Sequence, residues 1–233
     1  MAETATNQAL RFEGLGRDYG ERPALRGVTF DVEEGTTVAI LGANGAGKTT
    51  LLRIACGLLS PSSGVASVLG HDLPKETWAL RGKVGLLGHQ PMLYEALTVR
   101  ENLAHQSRLL KVAKGKTDEL IEAVGLHGRA DEPLRNLSRG MVQRAAAARA
   151  LLADPPLMLL DEPYANLDPA GRELLQPLLE EGRTVLVSGH DPSALLASAD
   201  KGVGLLAGRL QFEKPASEVS DSDLDALYGR RGR

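Results

Sequence analysis

The chain has little cysteine and few aromatic residues. Its 233 residues include one cysteine, Cys56, and aromatic side chains make up 3% of the sequence. A single cysteine excludes a disulfide framework within the chain and favours a reducing compartment. Because Cys56 lies among apolar residues of a predicted helix, we interpret it as a small core residue rather than as a nucleophile.

Long apolar runs are also missing from the sequence. Nowhere do about eighteen apolar residues follow one another, as a transmembrane helix would require. Residues 1–14 lack the basic start and the continuous apolar core of a signal peptide. We therefore expect a soluble, cytoplasmic chain.

The formal net charge is small, at −3, so there is no global attraction to nucleic acid. The one short basic stretch, residues 229–233, favours a solvated tail, with contact to anionic lipid as the alternative. With 42% apolar residues, the chain can bury the core of one α/β domain, and a second complete NTPase does not fit.

The most informative segment is a glycine-rich loop, which reads Gly-Ala-Asn-Gly-Ala-Gly-Lys-Thr-Thr and matches the pattern G-x-x-x-x-G-K-[ST]. It follows the apolar run Thr37–Leu41, a predicted buried strand, and precedes a predicted helix at about 48–56. Glycines let successive N–H groups turn towards an anion, and the helix N-terminus adds its positive dipole end. The alternative is a glycine-rich turn that matches the pattern by chance. The predicted ATP-binding residues of this loop are Gly42, Ala43, Asn44, Gly45, Ala46, Gly47, Lys48, Thr49 and Thr50.

Within this loop, Lys48 is expected to bridge the β- and γ-phosphates, and Thr49 to bind Mg²⁺. Two carboxylates, Asp161 and Glu162, follow the apolar run Leu157–Leu160. Ligands of open parallel sheets bind at the carboxyl ends of strands. We therefore expect Asp161 to hold the Mg²⁺ shell and Glu162 to polarise the attacking water, with a plain solvated turn as the alternative.

Strand-like runs alternate with turns at both ends of the chain, whereas the middle is helical in character. The helical stretch runs from about Leu97 to Leu152 and predicts an inserted helical subdomain. A terminal helix is expected over Asp221–Tyr228, with Ser220 or Asp221 as its cap. The remaining predicted strands are Leu10–Phe12, Val28–Val32, Val65–Leu69, Val84–Leu87, Thr184–Ser188, Val203–Leu206 and Arg209–Phe212.

Several further segments resemble motifs of the ATP-binding subunits of ABC transporters, and the match covers nearly all of the chain. Residues 137–144 are similar to the signature segment of that family. The D-loop is matched by Asn166, Leu167 and Asp168, the switch histidine by His190, the Q-loop by Gln90, and the adenine-stacking aromatic by Tyr19. Taken singly, Gln90, His190 and Tyr19 have ordinary structural interpretations. Their order around the phosphate loop favours the functional one.

The resemblance implies a role for each matched residue. His190 would contact the γ-phosphate, Gln90 would reach the Mg²⁺ site and report on a membrane partner, and Tyr19 would stack on adenine. In the signature, Ser138 and Gly140 would hold the γ-phosphate of ATP bound to the opposite subunit. Arg139 stands in place of the first glycine and Met141 in place of glutamine, which puts the strength of that contact in doubt.

The fold implied by the resemblance is α/β. A P-loop NTPase core of RecA type, with an N-terminal antiparallel β layer, would span residues 1–90 and 154–233. The helical subdomain would span residues 91–153, and the whole chain would form one ABC-type ATPase domain.

The implied partners are ATP with Mg²⁺, a second ATPase subunit (an identical copy or a close paralogue) and integral membrane permease subunits, but no nucleic acid. The chain would work on the inner face of the cell membrane. Residues 88–103, the signature and residues 163–168 are most similar to haem-exporter ATPases of cytochrome c maturation. An exporter ATPase for drugs, lipids or polysaccharides is the alternative.

Other classes fit the sequence less well. A DNA-repair or chromosome-organising ATPase would need a long coiled coil, yet only about ninety residues separate Gly47 from Leu137. A translation factor of this superfamily would carry two ATPase heads, and a GTPase would need an Asn-Lys-x-Asp segment.

Overall fold

The computed structural model describes residues 8–113 and 115–229, which form two β-sheets and seven α-helices within these ranges. The basic stretch at residues 230–233 lies outside them. The strands are β1 (Gln8–Tyr19), β2 (Arg22–Glu33), β3 (Thr37–Leu41), β4 (Ser63–Val68), β5 (His71–Leu73), β6 (Val84–Leu87), β7 (Leu157–Asp161), β8 (Thr184–Ser188), β9 (Lys201–Leu206) and β10 (Arg209–Pro215). The helices are α1 (Lys48–Ala55), α2 (Val99–Leu110), α3 (Lys116–Ala123), α4 (Arg139–Leu151), α5 (Pro169–Glu180), α6 (Pro192–Ala197) and α7 (Asp221–Tyr228).

The smaller sheet is antiparallel, with strand order β2-β1-β4-β5. Alternate side chains of β1 and β2 point inward, and the rings of Phe12 and Phe30 meet edge to face with centroids 5.2 Å apart. This sheet confirms the predicted N-terminal β layer, although its strands extend well beyond the apolar runs.

The central sheet has six strands in the order β10-β9-β3-β8-β7-β6 and is parallel except for the terminal hairpin strand β10. It is buried on both faces. In β3, Val38 and Ile40 pack with the antiparallel sheet and α1, while Ala39 and Leu41 join the cluster formed by α2 to α5. Burial on both faces explains why the strands of this sheet appear in the sequence as continuous apolar runs.

The helical middle of the chain resolves into α2, α3 and α4, and two single turns of 3₁₀ helix lie between α3 and α4. Helix α2 begins with a capping box, in which Thr98 and Glu101 satisfy each other's backbone N–H groups. The terminal helix α7 has the predicted bounds, and Ser220 is its cap. The division into a core and an inserted subdomain stays a prediction.

Helices α5 and α6 are absent from the sequence-based expectations. Each starts with an aspartate cap followed by proline: Asp168 accepts from the N–H of Gly171, and Asp191 accepts from the N–H of Ala194. An Asp-Pro pair is a helix start signal, because proline suits the first helical position and aspartate the cap. That signal was available in the sequence.

The topology places the ends of β3, β7 and β8 side by side. Asp161, the last residue of β7, is in register with Ser188, the last residue of β8. The phosphate loop follows β3, which is hydrogen-bonded to β8 in parallel. The predicted nucleotide residues therefore meet at one edge of the sheet, where ligands of open α/β sheets bind.

Candidate functional site

The phosphate loop has the backbone conformation that only glycine adopts easily. The φ angles of Gly42, Gly45 and Gly47 are 141°, 82° and 108°. A Cβ at Gly42 would lie 2.3 Å from the carbonyl oxygen of Leu205, and one at Gly47 would lie 2.8 Å from that of Ala24. Conformation and space both require glycine at these two positions, which keeps the loop's N–H groups accessible to an anion.

Lys48 is the first residue of α1 and is buried against the loop. Its Nζ donates to the carbonyl oxygens of Gly42, at 2.6 Å, and Ala43, at 3.1 Å. Burial lowers the pKa of Lys48, and the nearby carboxylates of Asp161 and Glu162 oppose that shift. A phosphate chain in the loop would supply the charge partner that two neutral carbonyls cannot.

Both oxygens of the Asp161 carboxylate are held by hydroxyl groups. Thr49 Oγ1 donates to Oδ2 at 2.6 Å, and Ser188 Oγ donates to Oδ1 at 2.6 Å. Oxygen ligands suit Mg²⁺, which usually takes few protein ligands and completes its shell with water and substrate phosphates. Thr49 and Asp161 therefore fit the predicted metal ligands. The sequence analysis missed Ser188, although its place at the end of a buried strand next to β7 was a usable signal.

Glu162 and His190 form a close pair beside this site. His190 Nε2 lies 2.8 Å from Glu162 Oε2. Glu162 has a φ of 55°, a left-handed conformation that is costly for a residue with a side chain. Its N–H donates to the carbonyl oxygen of Ser188 at 3.0 Å, which fixes the turn after β7. Because a carboxylate only accepts hydrogen bonds, Nε2 of His190 is the donor in this contact.

These residues share one open pocket of about 650 Å³, large enough for the polyphosphate part of a nucleotide. Its floor is the loop and α1, and its far wall is the Glu162 and His190 pair. The described residues that line it are Ala24, Asn44, Gly45, Gly47, Lys48, Thr49, Thr50, Arg53, His89, Asp161, Glu162 and His190.

Five residues predicted for this site lie outside the lining: Gly42, Ala43 and Ala46 of the loop itself, and Gln90 and Tyr19. Gln90 is exposed next to His89, which does line the pocket. Tyr19 ends β1, is 47% exposed, and carries the guanidinium of Arg17 over its ring at 5.0 Å. Their proposed contacts with Mg²⁺ and adenine stay predictions.

The signature residues form a separate pocket of about 350 Å³ that shares no lining residue with the first. Ser138 caps α4 by accepting from the N–H of Met141 at 3.3 Å. A Cβ on Gly140 would lie 2.9 Å from the carbonyl oxygen of Asn166, so the signature packs closely on the D-loop. This pocket is lined by Ser138, Arg139, Gly140, Met141, Arg144, Asn166, Leu167 and Asp168.

Comparison with known proteins identifies the family to which the chain belongs. A family described as "ABC transporter" matches residues 25–165, which span the phosphate loop, the signature and both carboxylates. The chain belongs to the ABC transporter ATPase family. It therefore carries an ABC-type ATPase head with a P-loop NTPase fold, as the resemblance implied.

Two curated relatives match at similar levels. The phosphonates import ATP-binding protein PhnC of Anaeromyxobacter dehalogenans (strain 2CP-C) is 37% identical over 99% of this chain and 50% of its own length. The daunorubicin resistance ATP-binding protein DrrA3 of Streptomyces coeruleorubidus is 37% identical over the whole chain and 72% of its own length. The chain thus spans about half the length of one relative and most of the other.

A solved structure extends the comparison to assembly. It is described as a dimeric post-hydrolysis state of an ATP-binding cassette bound to ADP and Pi. It aligns with a TM-score of 0.79 at 28% identity over 89% of this chain and 98% of its own chain. That family member is a dimer with hydrolysis products bound.

Proposed function

We propose that two copies of this ATPase head, or one copy and a close paralogue, share each ATP between them. The observation that carries the proposal is the separation of the phosphate-loop pocket from the signature pocket within one chain. A phosphate bound at Lys48 has no contact with Ser138 of the same chain, so the signature serves a site on another subunit. The dimeric relative supports this arrangement.

In the proposed site, Lys48 and the loop N–H groups hold the phosphates. Thr49 and Asp161 would hold Mg²⁺, whose positive charge would stabilise the phosphate oxygens. Glu162 accepts a hydrogen bond from the attacking water and orients it in line with the γ-phosphate. His190, 2.8 Å from Glu162, positions that carboxylate and contacts the γ-phosphate. Product release would then allow the subunits to separate.

The two unusual signature residues have different surroundings. Arg139 is exposed at the first position of α4, where it adds a positive charge at the surface that faces the partner's phosphates. Met141 is partly buried against the core, so it contributes packing rather than a hydrogen bond. Ser138 and the N–H of Gly140 would supply the contacts to the nucleotide.

The transport step is proposed to pass through separate membrane subunits. None of the helices in residues 8–113 and 115–229 has the length and apolar character of a membrane span. A groove of about 280 Å³ lies where β6 and α4 meet the end of α2, and Leu58, Leu80, Met92 and Leu110 supply apolar walls. Next to it, the side chain of Trp78 is 77% exposed. A groove with these apolar walls, lined by Met92 two residues after Gln90, suits a short helix from a permease subunit.

For the cargo, we propose haem export in cytochrome c biogenesis, on the likeness of residues 88–103, 137–144 and 163–168. The relatives reported above are named for phosphonate import and daunorubicin resistance. The drug-resistance relative favours the second candidate, the ATPase of an exporter for a drug, lipid or polysaccharide. Site residues contact ATP and not cargo, so the cargo needs a direct measurement.

The transport proposal is tested by capturing the tagged chain from mild-detergent extracts of its native membranes, followed by ATPase assays of the captured complex in lipid vesicles. We expect a multispan membrane protein to co-purify and haem to stimulate ATP hydrolysis. Stimulation by daunorubicin but not by haem would replace the cargo proposal. Capture of the chain without any membrane protein would contradict the transport role.

A further inference from the structure

A buried amide near the end of the signature segment 137–144 lies close to Glu162. Gln143, on the second turn of α4, is 8% exposed. Its Nε2 donates to the carbonyl oxygen of Pro163 at 2.9 Å. Burying an amide in an apolar interior is unfavourable unless its hydrogen bonds are made, so this contact is a specific feature of the packing.

Pro163 directly follows Glu162, whose backbone conformation is strained. A left-handed residue with a side chain persists only where its surroundings hold it in place. The N–H of Glu162 is held by the carbonyl oxygen of Ser188 at 3.0 Å. On the other side of Glu162, the proline ring restricts rotation, and the Pro163 carbonyl is held by Gln143.

We propose that Gln143 is a positioning residue that keeps the Glu162 carboxylate in place for attack of water on ATP. Without its bond to Pro163, the turn after β7 loses one of the hydrogen bonds that hold it. The carboxylate then samples orientations in which it no longer aligns the water. The phosphate loop and the signature cap do not depend on this bond.

The same helix contacts this segment a second time. Gly140 lies against the carbonyl oxygen of Asn166, which also has a positive φ of 64°. Helix α4 therefore holds both strained residues of the segment 162–166, one through Gln143 and one through close packing at Gly140. Since α4 begins at the signature, contact with the partner's nucleotide and placement of Glu162 depend on one rigid element.

This inference rests on the proposed shared site, and Gln143→Met tests it because methionine keeps the volume but cannot donate. We expect kcat for ATP hydrolysis to fall about tenfold, the scale of a small misplacement of a catalytic group. KM for ATP should change little. Adding Gln143→Met to the Glu162→Gln chain should leave unchanged the ATP concentration that gives half-maximal dimer formation, since dimer closure does not use the carboxylate.

Gln143→Glu supplies a second readout. A neutral carboxyl group can donate to Pro163, whereas a carboxylate cannot. The kcat of the Gln143→Glu variant, divided by that of the unsubstituted chain at the same pH, should rise as the pH falls from about 8 to about 6. Burial raises the pKa of a carboxyl group towards this range. The same ratio for Gln143→Met should stay flat. Gln211→Met, on the exposed face of β10, is the matched control and should leave kcat unchanged.

The two proposals fail in different ways. If ATP does not dimerise the Glu162→Gln chain, the shared site is wrong and this inference falls with it. If the dimer forms but Gln143→Met keeps normal kcat, only the positioning role is wrong. Loss of dimer in parallel with loss of kcat would show that Gln143 acts on the signature or on folding, and would also overturn the inference.

Discussion

At the scale of single residues, the charge balance of the phosphate site depends on Lys48. Burial lowers the pKa of its ammonium group, and Asp161 and Glu162 raise it again. Without nucleotide its charge is met by two carbonyl oxygens of the loop. Phosphate oxygens are stronger acceptors, so ATP binding should move Lys48 from these carbonyls to the phosphates and raise its pKa.

At this scale we predict the effect of replacing Glu162, the proposed activator of the attacking water. Glu162→Gln keeps the shape of the side chain but removes the negative charge that polarises water. We expect ATP hydrolysis to fall at least about a hundredfold, the usual contribution of a general base. Binding of ATP should persist, so the ATP-bound dimer should accumulate. Phosphate release and light scattering measure the two effects.

The matched control is Glu173→Gln, which removes an exposed carboxylate from α5. It should keep both the rate of hydrolysis and the monomer–dimer balance of the unsubstituted chain. Unchanged hydrolysis in Glu162→Gln would show that another group activates the water.

Site residues could be predicted from the sequence where they lie close together along the chain. A strand-loop-helix unit brings Gly45, Gly47, Lys48 and Thr49 together in the pocket. Ser188 and Gln143 escaped prediction because each depends on a contact between distant elements, such as β8 with β7. The strand end gave a position for Ser188 but not its partner, and nothing in the sequence gives the partner of Gln143.

At the scale of elements, α2 is joined to the loop before it by one buried side chain. Asn102 is 4% exposed and accepts from the N–H of Tyr94 at 2.8 Å. Its Nδ2 donates to the carbonyl oxygens of Tyr94, Leu97 and Thr98. This network orders the 94–98 loop, which lies between Gln90, the residue predicted to report on a membrane partner, and α2.

Asn102→Ala should therefore destabilise the fold. It removes the acceptor of the Tyr94 N–H and the donor shared by three loop carbonyls, which costs about 2 kcal/mol in the free energy of unfolding. Urea unfolding followed by circular dichroism measures this loss. Asn136→Ala removes an exposed asparagine and should stay within about 0.5 kcal/mol of the unsubstituted chain. Equal stability of the two variants would contradict the structural role of Asn102.

The elements themselves were predictable where their pattern is strong. Fully buried strands such as β7 and β8 appear as continuous apolar runs, and α7 appears with its cap. Helices α5 and α6 were missed, although an aspartate cap followed by proline begins each of them. The antiparallel strands β1 and β2 exceed their apolar runs because hydrogen bonding between strands continues through polar residues.

At the scale of the whole molecule, the chain carries two separate pockets, which we propose to be complementary halves of an ATPase site. The phosphate-loop pocket lies at the ends of β3, β7 and β8, and the signature pocket lies at the start of α4. No sequence pattern shows that these surfaces are apart, because that follows from how the helices pack on the sheet. The family comparison and the geometry together favour a site completed by a second subunit.

The most direct test of this account mixes two variants that are each inactive. Lys48→Ala removes phosphate binding but keeps the signature, and Ser138→Arg blocks the signature but keeps the phosphate loop. Circular dichroism should show that both fold. We predict that neither variant alone hydrolyses ATP, and that the mixture regains part of the activity because one site of each mixed dimer is intact. A mixture of folded variants that stays inactive would contradict the shared site, as would full activity of Ser138→Arg alone.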